Sequence, residues 1–300
     1  MQKSSKAQAS GFWLTTGAAA IWGTIGVATQ AIYNVDSTTS LFLNLARLVI
    51  ATPVLTLICW RMIGARMFSI RPRDLRVMIL SGILVATSQA SYFAAIHDTG
   101  VTIATLLTLC VTPLTVTFIS VLLKLEILTR RTVIALICAL VGSVLLVGLD
   151  PMQGAHENLL LGAFFAFISG ATYGGVLVCG RFVAADYNPL QVMSITFAVG
   201  TVLLLLANAL SGFVTVHTTQ GWLLVLYLGL IPTALAYWMF QAGLRSVSAT
   251  AASIISMLEP MVAALLAWLI FGETLALAGI VGALLLVASI ILLSVSENPA

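Results

Sequence analysis

The amino-acid sequence predicts an all-α integral membrane protein: ten transmembrane helices arranged as two inverted five-helix repeats, with both termini cytoplasmic. Composition is the first reason. Of the 300 residues 60% are hydrophobic and 8% are charged, against roughly 25% charged in an ordinary soluble domain, and the mean hydropathy is +1.11. Length is the second, because a helix needs about 20 mostly apolar residues to cross the hydrocarbon core and such stretches nearly fill the chain. The third is repetition: Gly82, Phe93, Ala95, Ala104, Pro113, Leu122, Glu126 and Leu128 recur as Gly229, Phe240, Ala242, Ala251, Pro260, Leu269, Glu273 and Leu275, an offset of about 147. Each copy holds an odd number of spans, so the second lies upside down relative to the first.

The spans follow in order. Residues 11–33 form an Ala-rich first span carrying Trp22-Gly23, and 39–60 a second carrying Arg47. Spans three and four occupy 76–97 and 101–123, the latter with Pro113 in its middle. The fifth, 131–149, is almost continuously apolar, unlike the short alternating strands of a membrane barrel. A polar run, Asp150-Pro151-Met152-Gln153-Gly154-Ala155-His156-Glu157-Asn158, then divides the chain. It separates a first repeat at 1–150 from a second at 151–300, the two forming one compact transmembrane unit. Spans six to ten occupy 159–181, 190–212, 219–243, 248–271 and 276–295, with Pro232 central to the eighth and Glu259-Pro260 to the ninth. Near the repeat starts, Ile21-Trp22-Gly23 parallels Thr172-Tyr173-Gly174.

Charge orients these spans, since Lys and Arg near span ends stay on the cytoplasmic side. Lys3 and Lys6 precede span one; Arg61, Arg66, Arg71, Arg73 and Arg76 surround loop 2/3; Lys124, Arg130 and Arg131 flank loop 4/5; Arg181 and Arg245 mark loops 6/7 and 8/9. The opposite loops hold Asp36, His97, Asp98, Asp150, His156, Glu157, His217 and Glu273 without a Lys or Arg. Basic residues ahead of an apolar stretch imitate a signal peptide, but the stretch is of spanning length with no clear cleavage site, so span one is expected to be retained. The expected location is the bacterial inner (cytoplasmic) membrane, multi-pass. Cys59, Cys110, Cys138 and Cys179 are scattered without metal-ligand spacing and read as packing residues.

The 5+5 arrangement, Trp22-Gly23, Arg47 and the run Met257-Leu258-Glu259-Pro260 through Phe271-Gly272-Glu273 carry a family resemblance. In these features the chain resembles the EamA branch of the drug/metabolite transporter superfamily and, within it, the YddG-type exporters of aromatic and other neutral amino acids. The resemblance implies a secondary transporter that exports small metabolites by alternating access through a cavity between its inverted halves. Cargoes within the superfamily range from amino acids to quaternary ammonium compounds and nucleotide sugars, so the cavity residues must be weighed directly.

An ionisable group in mid-span costs at least ~2.5 kcal/mol on insertion scales, which makes Glu259 a candidate for proton coupling or for binding a substrate ammonium; the alternative is a structural acceptor between helices. Arg47 is the only basic residue deep in a span. It can pair with Glu259, snorkel outward, or hold a substrate carboxylate through parallel hydrogen bonds; the structural roles are preferred. Pro113 and Pro260 occupy matching positions in spans four and nine and are hinge candidates, with Thr108, Thr112 and Thr115 near enough to answer the carbonyls that a proline frees. Gly23, Gly26, Gly170, Gly174, Gly175, Gly279 and Gly282 are expected to let helices approach closely, and Glu126 and Glu273 to cap helix starts.

Trp13, Trp60, Trp222 and Tyr33 lie near span ends, where aromatic rings anchor at the headgroups. Trp22, Tyr92, Tyr173, Tyr237 and Trp238 lie deeper, with Phe93 beside them, and come from spans one, three, six and eight. Ser88 and Gln89 precede Tyr92 by about one helical turn, while Gln241 follows Tyr237 and Trp238 at helical spacing, so these side chains share faces. With Thr108 they form the candidate substrate-binding wall, although a deep aromatic in a membrane helix is more often packing than ligand. An aromatic wall with amides and hydroxyls suits a neutral, partly apolar zwitterion such as an aromatic amino acid.

No paired intramembrane carboxylates, metal-binding His motif or phosphate loop occurs, so neither an enzyme nor a cofactor or metal is expected, and nothing suggests nucleic acid. Phosphorylated sugars are disfavoured because Arg47 alone cannot balance several negative charges. The runner-up is proton-coupled export of cationic aromatic drugs or quaternary ammonium compounds, held by Glu259 and cation–π contacts. A small-molecule substrate, a lipid bilayer and a monomeric state complete the expectation.

Overall fold

The computed structural model describes residues 2–148, 158–271 and 276–296. Residues 150–157 of the repeat junction expected at 150–158, the Gly272-Glu273 pair and residues 297–300 lie outside the described residues. All regular structure among the described residues is helical. Nine helical segments there are long and apolar enough to cross a membrane. The first predicted span is not among them, because it is two helices, α1 (Gln2–Trp22) and α2 (Thr24–Val35), that meet at Gly23.

Side-chain caps set several of the remaining starts, since the first N–H groups of a helix have no partner within it. Thr39 accepts from the Phe42 N–H at the head of α3 (Ser40–Ile63). Thr129 does the same for α5 (Arg130–Val147), and Asn188, followed by Pro189, for α7 (Pro189–Ser211). Between α3 and α5 runs α4 (Pro72–Leu122), which carries spans three and four as two arms that turn at Gly100. Gly100 has φ 77°, a left-handed conformation that only glycine adopts readily.

In the second half, α6 (Leu159–Ala184) and α7 are unbroken, whereas spans eight and nine are not. Span eight begins as α8 (Thr219–Leu228), widens into a π-helical turn over Gly229–Leu235 and resumes as α9 (Ala236–Gly243). Span nine is α10 (Ala249–Ser256), a turn at Met257-Leu258, and α11 (Glu259–Phe271). The last helix is α12 (Leu277–Ser296). Of the matched prolines, Pro260 thus follows an interruption, while the helix runs through Pro113.

The α4 arms pack on α6, α3 on α7, α5 on α12 and α1 on α9. Small residues permit the closest crossings. A methyl group at Gly170 would come within 2.7 Å of the Thr108 carbonyl oxygen, and one at Gly282 within 2.5 Å of that of Gly142. Most informative is Gly23, where a Cβ would stand 2.5 Å from that of Val262 and 2.9 Å from the Glu259 carbonyl oxygen. The break in the first span is therefore seated against the start of α11, just past the break in the ninth.

Polar contacts sort the loops into two faces. On one, Arg71 pairs with Asp186 at 3.7 Å, Gln191 Nε2 donates to the Met67 carbonyl at 2.8 Å, Arg181 donates to the Leu244 carbonyl at 2.6 Å, and Glu126 accepts from the Ala249 N–H at 2.6 Å at the head of α10. This face gathers the Arg- and Lys-bearing loops. On the other, Asp36 accepts from the backbone N–H of His217 at 2.8 Å and of Thr218 at 3.2 Å, and from the Thr218 hydroxyl. A related contact closes the basic face, where the Tyr187 hydroxyl accepts from the Arg71 N–H at 3.1 Å and donates to Asp74 at 2.7 Å. Asp36 and Tyr187 stand in corresponding loops of the two repeats, and each meets the start of the other repeat's third span.

Two expectations follow. An alanine at Gly23 must displace backbone at Glu259, an overpacking that costs roughly 1–3 kcal/mol, whereas Gly26 has no atom near its missing Cβ; in detergent melts Gly23→Ala lowers the transition and Gly26→Ala does not. The Thr218 hydroxyl, with the backbone N–H groups of His217 and Thr218 and against the cost of leaving water, holds the Asp36 carboxyl below its ordinary value. A pKa lowered in the folded state adds stability above the ordinary value, about 3.9, and that stability is lost as pH falls through this range. Asp36→Asn therefore melts below the parent at pH 7, with a gap that closes toward acid; a gap indifferent to pH would show that the carboxylate charge does not hold this contact.

Candidate functional site

The site grows from Pro232. Proline has no N–H, so a carbonyl one turn earlier is left without its helical donor, and hydrocarbon supplies no water to replace it. In the π turn this group is answered from the next residue, because the i→i+5 pattern passes it to the Thr233 N–H and the Thr233 hydroxyl also donates to the Leu228 carbonyl at 2.7 Å. The carbonyl of Pro232 itself accepts from the Trp22 indole N–H at 2.9 Å, across from α1. Both donors are buried.

Thr233 then has lone pairs to spare, and Arg47 takes one: its Nε donates to the Thr233 hydroxyl at 2.9 Å. One Nη1 hydrogen reaches Asn44 Oδ1 at 3.4 Å, a turn back along α3. The guanidinium opens on a small cavity whose polar lining is Asn44, Arg47, Gln89 and Thr233. Leu48, Val85, Phe197 and Tyr237 supply the apolar lining. Its volume is about 10 Å³, room for a single water, so this conformation is closed around the cation.

The aromatic groups meet at the same level. Trp22 stacks against Tyr237 and Phe240 with centroids 4.9 and 5.0 Å away, and Phe197 meets Tyr237 edge-on at 5.1 Å. Tyr92, Tyr173, Tyr237 and Trp238 remain half-buried although they lie deep in their spans. Glu259 opens α11, also half-buried, where the helix dipole favours a carboxylate. The ion pair between Arg47 and Glu259 that the sequence allows is not formed: among the described residues neither has an ion-pair partner within 4 Å.

Of the side chains expected in the binding wall, Gln89 and Tyr237 line the cavity beside Arg47. Others are engaged between helices. Ser88 and Ser169 each donate to the other's carbonyl, at 3.0 and 2.9 Å; Gln241 donates to the Gly180 carbonyl at 2.8 Å; Trp22 is buried behind Tyr237. Thr108 reaches the Ala166 carbonyl at 3.3 Å and Tyr92 bonds Thr105 at 2.5 Å. Thr233 and Phe197 were not anticipated. For Thr233 the signal was present in the sequence, a hydroxyl directly after a mid-span proline, whereas Phe197 is one of many aromatics on an apolar face. No cluster of metal-ligating side chains occurs among the described residues.

Comparison with known proteins agrees with this architecture. The EamA-like transporter family matches residues 9–148 and again 160–295. An uncharacterized transporter of Archaeoglobus fulgidus is 31% identical over 203 residues, 68% of this chain and 70% of its own. The uncharacterized inner membrane transporter YicL of Salmonella typhimurium is 29% identical over 297 residues, 94% of each chain. One solved crystal structure superposes with a TM-score of 0.82 over 96% of this chain and 99% of that one, at 20% identity, and so shares the fold.

Thr233→Val removes the hydroxyl bond to the Leu228 carbonyl and leaves Arg47 Nε without its acceptor. That loss costs about 1–3 kcal/mol and lowers the detergent melting temperature, while Thr233→Ser, which retains the hydroxyl, stays near the parent. Equal melting of both variants would remove Thr233 from the support of the site.

Proposed function

The chain belongs to the EamA-like transporter family, and from that premise we propose that it is a secondary transporter exporting aromatic and other neutral amino acids by alternating access. Its ten spans act as two inverted sets of five, with the basic face and both termini in the cytoplasm and the protein working as a monomer in a bacterial inner membrane. The observation that carries the cargo is a pair of unlike, unmated charges, Arg47 and Glu259, among half-buried aromatic side chains. An α-amino acid has the complementary charges on one carbon and no net charge, and an aromatic or apolar side chain matches Tyr173, Tyr237 and Trp238. The paired contacts at Asp36 and Tyr187 suit gates that open in turn at the two faces.

A second reading, proton-coupled export of cationic aromatic drugs, draws on Glu259 alone. Arg47 works against it, since a fixed cation beside the cavity repels a cationic guest, strongly where water is excluded.

Exchange of labelled tryptophan, phenylalanine, threonine and a quaternary ammonium dye in proteoliposomes, with and without an imposed pH gradient, tests both. Saturable amino-acid exchange indifferent to the gradient is expected. Dye flux driven by the gradient with no amino-acid exchange would overturn the amino-acid assignment and make Glu259 a coupling acid.

A further inference from the structure

We propose that Arg47 is the anchor for the substrate carboxylate, taking both carboxylate oxygens on its free Nη hydrogens; the proposal rests on the amino-acid assignment above and specifies the part of the substrate that Arg47 selects. Guanidinium presents five N–H donors in a rigid planar fork and stays protonated throughout the usable pH range. Thr233 occupies Nε and Asn44 one hydrogen of Nη1. Both Nη2 hydrogens and the second on Nη1 have no acceptor among the described residues, and adjacent Nη donors are the geometry that grips a carboxylate in two parallel bonds.

The fork is held before any ligand arrives. Thr233 is fixed by its own bond to the Leu228 carbonyl, and Asn44 lies on the same helix as Arg47, so little side-chain freedom remains to be lost on binding. Around the fork Leu48, Val85 and Phe197 keep the surroundings apolar, which strengthens a charge-assisted bond. Gln89 borders the same cavity and carries an amide donor for a further bond to a carboxylate oxygen.

Charge argues the same way. A cation this deep is costly without an anion, and the protein supplies none within 4 Å among the described residues. A single arginine balances one negative charge, that of a carboxylate, and leaves a phosphate monoester undercompensated. The closed cavity, about 10 Å³, has room for one water but not for a carboxylate, so binding coincides with a parting of its walls. Amines without a carboxylate meet an uncompensated positive charge and are rejected.

Competition against labelled tryptophan in counterflow by the purified, reconstituted full chain tests the proposal. Unlabelled tryptophan and phenylalanine compete, whereas tryptophan amide and tryptamine, which keep the ring and the amine but lack the carboxylate, compete roughly 10- to 100-fold more weakly, as expected for loss of hydrogen bonds to a charged group. Arg47→Gln raises the half-saturating tryptophan concentration by a similar factor and abolishes the discrimination between tryptophan and its amide. Arg47→Lys, which keeps the charge but not the fork, falls between. Because the competition series uses the parent protein, it decides the matter even where a variant does not fold. Tryptophan amide competing as well as tryptophan would overturn the role of Arg47 while leaving amino-acid export intact; absence of exchange with every amino acid would overturn the cargo assignment itself, and this proposal with it.

Discussion

A carbonyl stranded inside a membrane must find a donor within the protein, and the arrangement around Pro232 follows from that requirement. The proline removes one donor from span eight, the π turn and the Thr233 hydroxyl answer the carbonyl it strands, and Trp22 comes across from α1 to answer the proline's own carbonyl. Each answer fixes something more. Thr233 holds Arg47 by its Nε, and Trp22 sets the stack in which Tyr237 stands. Irregular backbone is tolerated at membrane depth only where protein or a wet cavity satisfies it, so the site and the distortion occupy one place for one reason.

The broken spans one and nine obey the same constraint from another side. Gly23 interrupts the first and the Met257-Leu258 turn the ninth, and Gly23 packs on Glu259 and Val262 just past that turn. Their crossing brings Glu259, at the head of α11, against Gly23, the neighbour in sequence of Trp22, on which Tyr237 and Phe240 pack. Spans four and six, the counterparts of nine and one, run through Pro113 and Gly174 without interruption. The two repeats share a plan of contacts and differ where the backbone opens.

Much of the fold was legible in the sequence because hydrocarbon imposes lengths. Span limits such as 39–60 and 190–212 fall within a few residues of α3 and α7, since apolar runs end at caps such as Thr39 and Asn188 and at glycines such as Gly64 and Gly212. The break at Gly23 was not legible: a glycine in a membrane helix reads as a packing residue, and here it is both. Within the site, helical spacing grouped Ser88 with Gln89 and Tyr237 with Gln241, but spacing ranks faces without saying which one a neighbour covers. Ser88 and Gln241 meet carbonyls of α6, while Gln89 and Tyr237 face the cavity. That Arg47 is held by Thr233 and has no anion within 4 Å among the described residues depends on contacts between repeats, which no local pattern records.

The π turn at Gly229–Leu235 has a consequence for chain length. A π turn holds one residue more than the α turn it replaces, and each α-helical residue advances the helix by about 100°. Removing one residue of this segment would let the turn close as regular helix over the same sweep, leaving α9 in its place relative to α8. Tyr237 and Trp238 would go on facing Trp22 and Phe197, whereas the same deletion inside an unbroken helix such as α7 turns everything downstream by that angle. What span eight presents to the cavity is therefore buffered against a single-codon deletion that regular helix would not absorb.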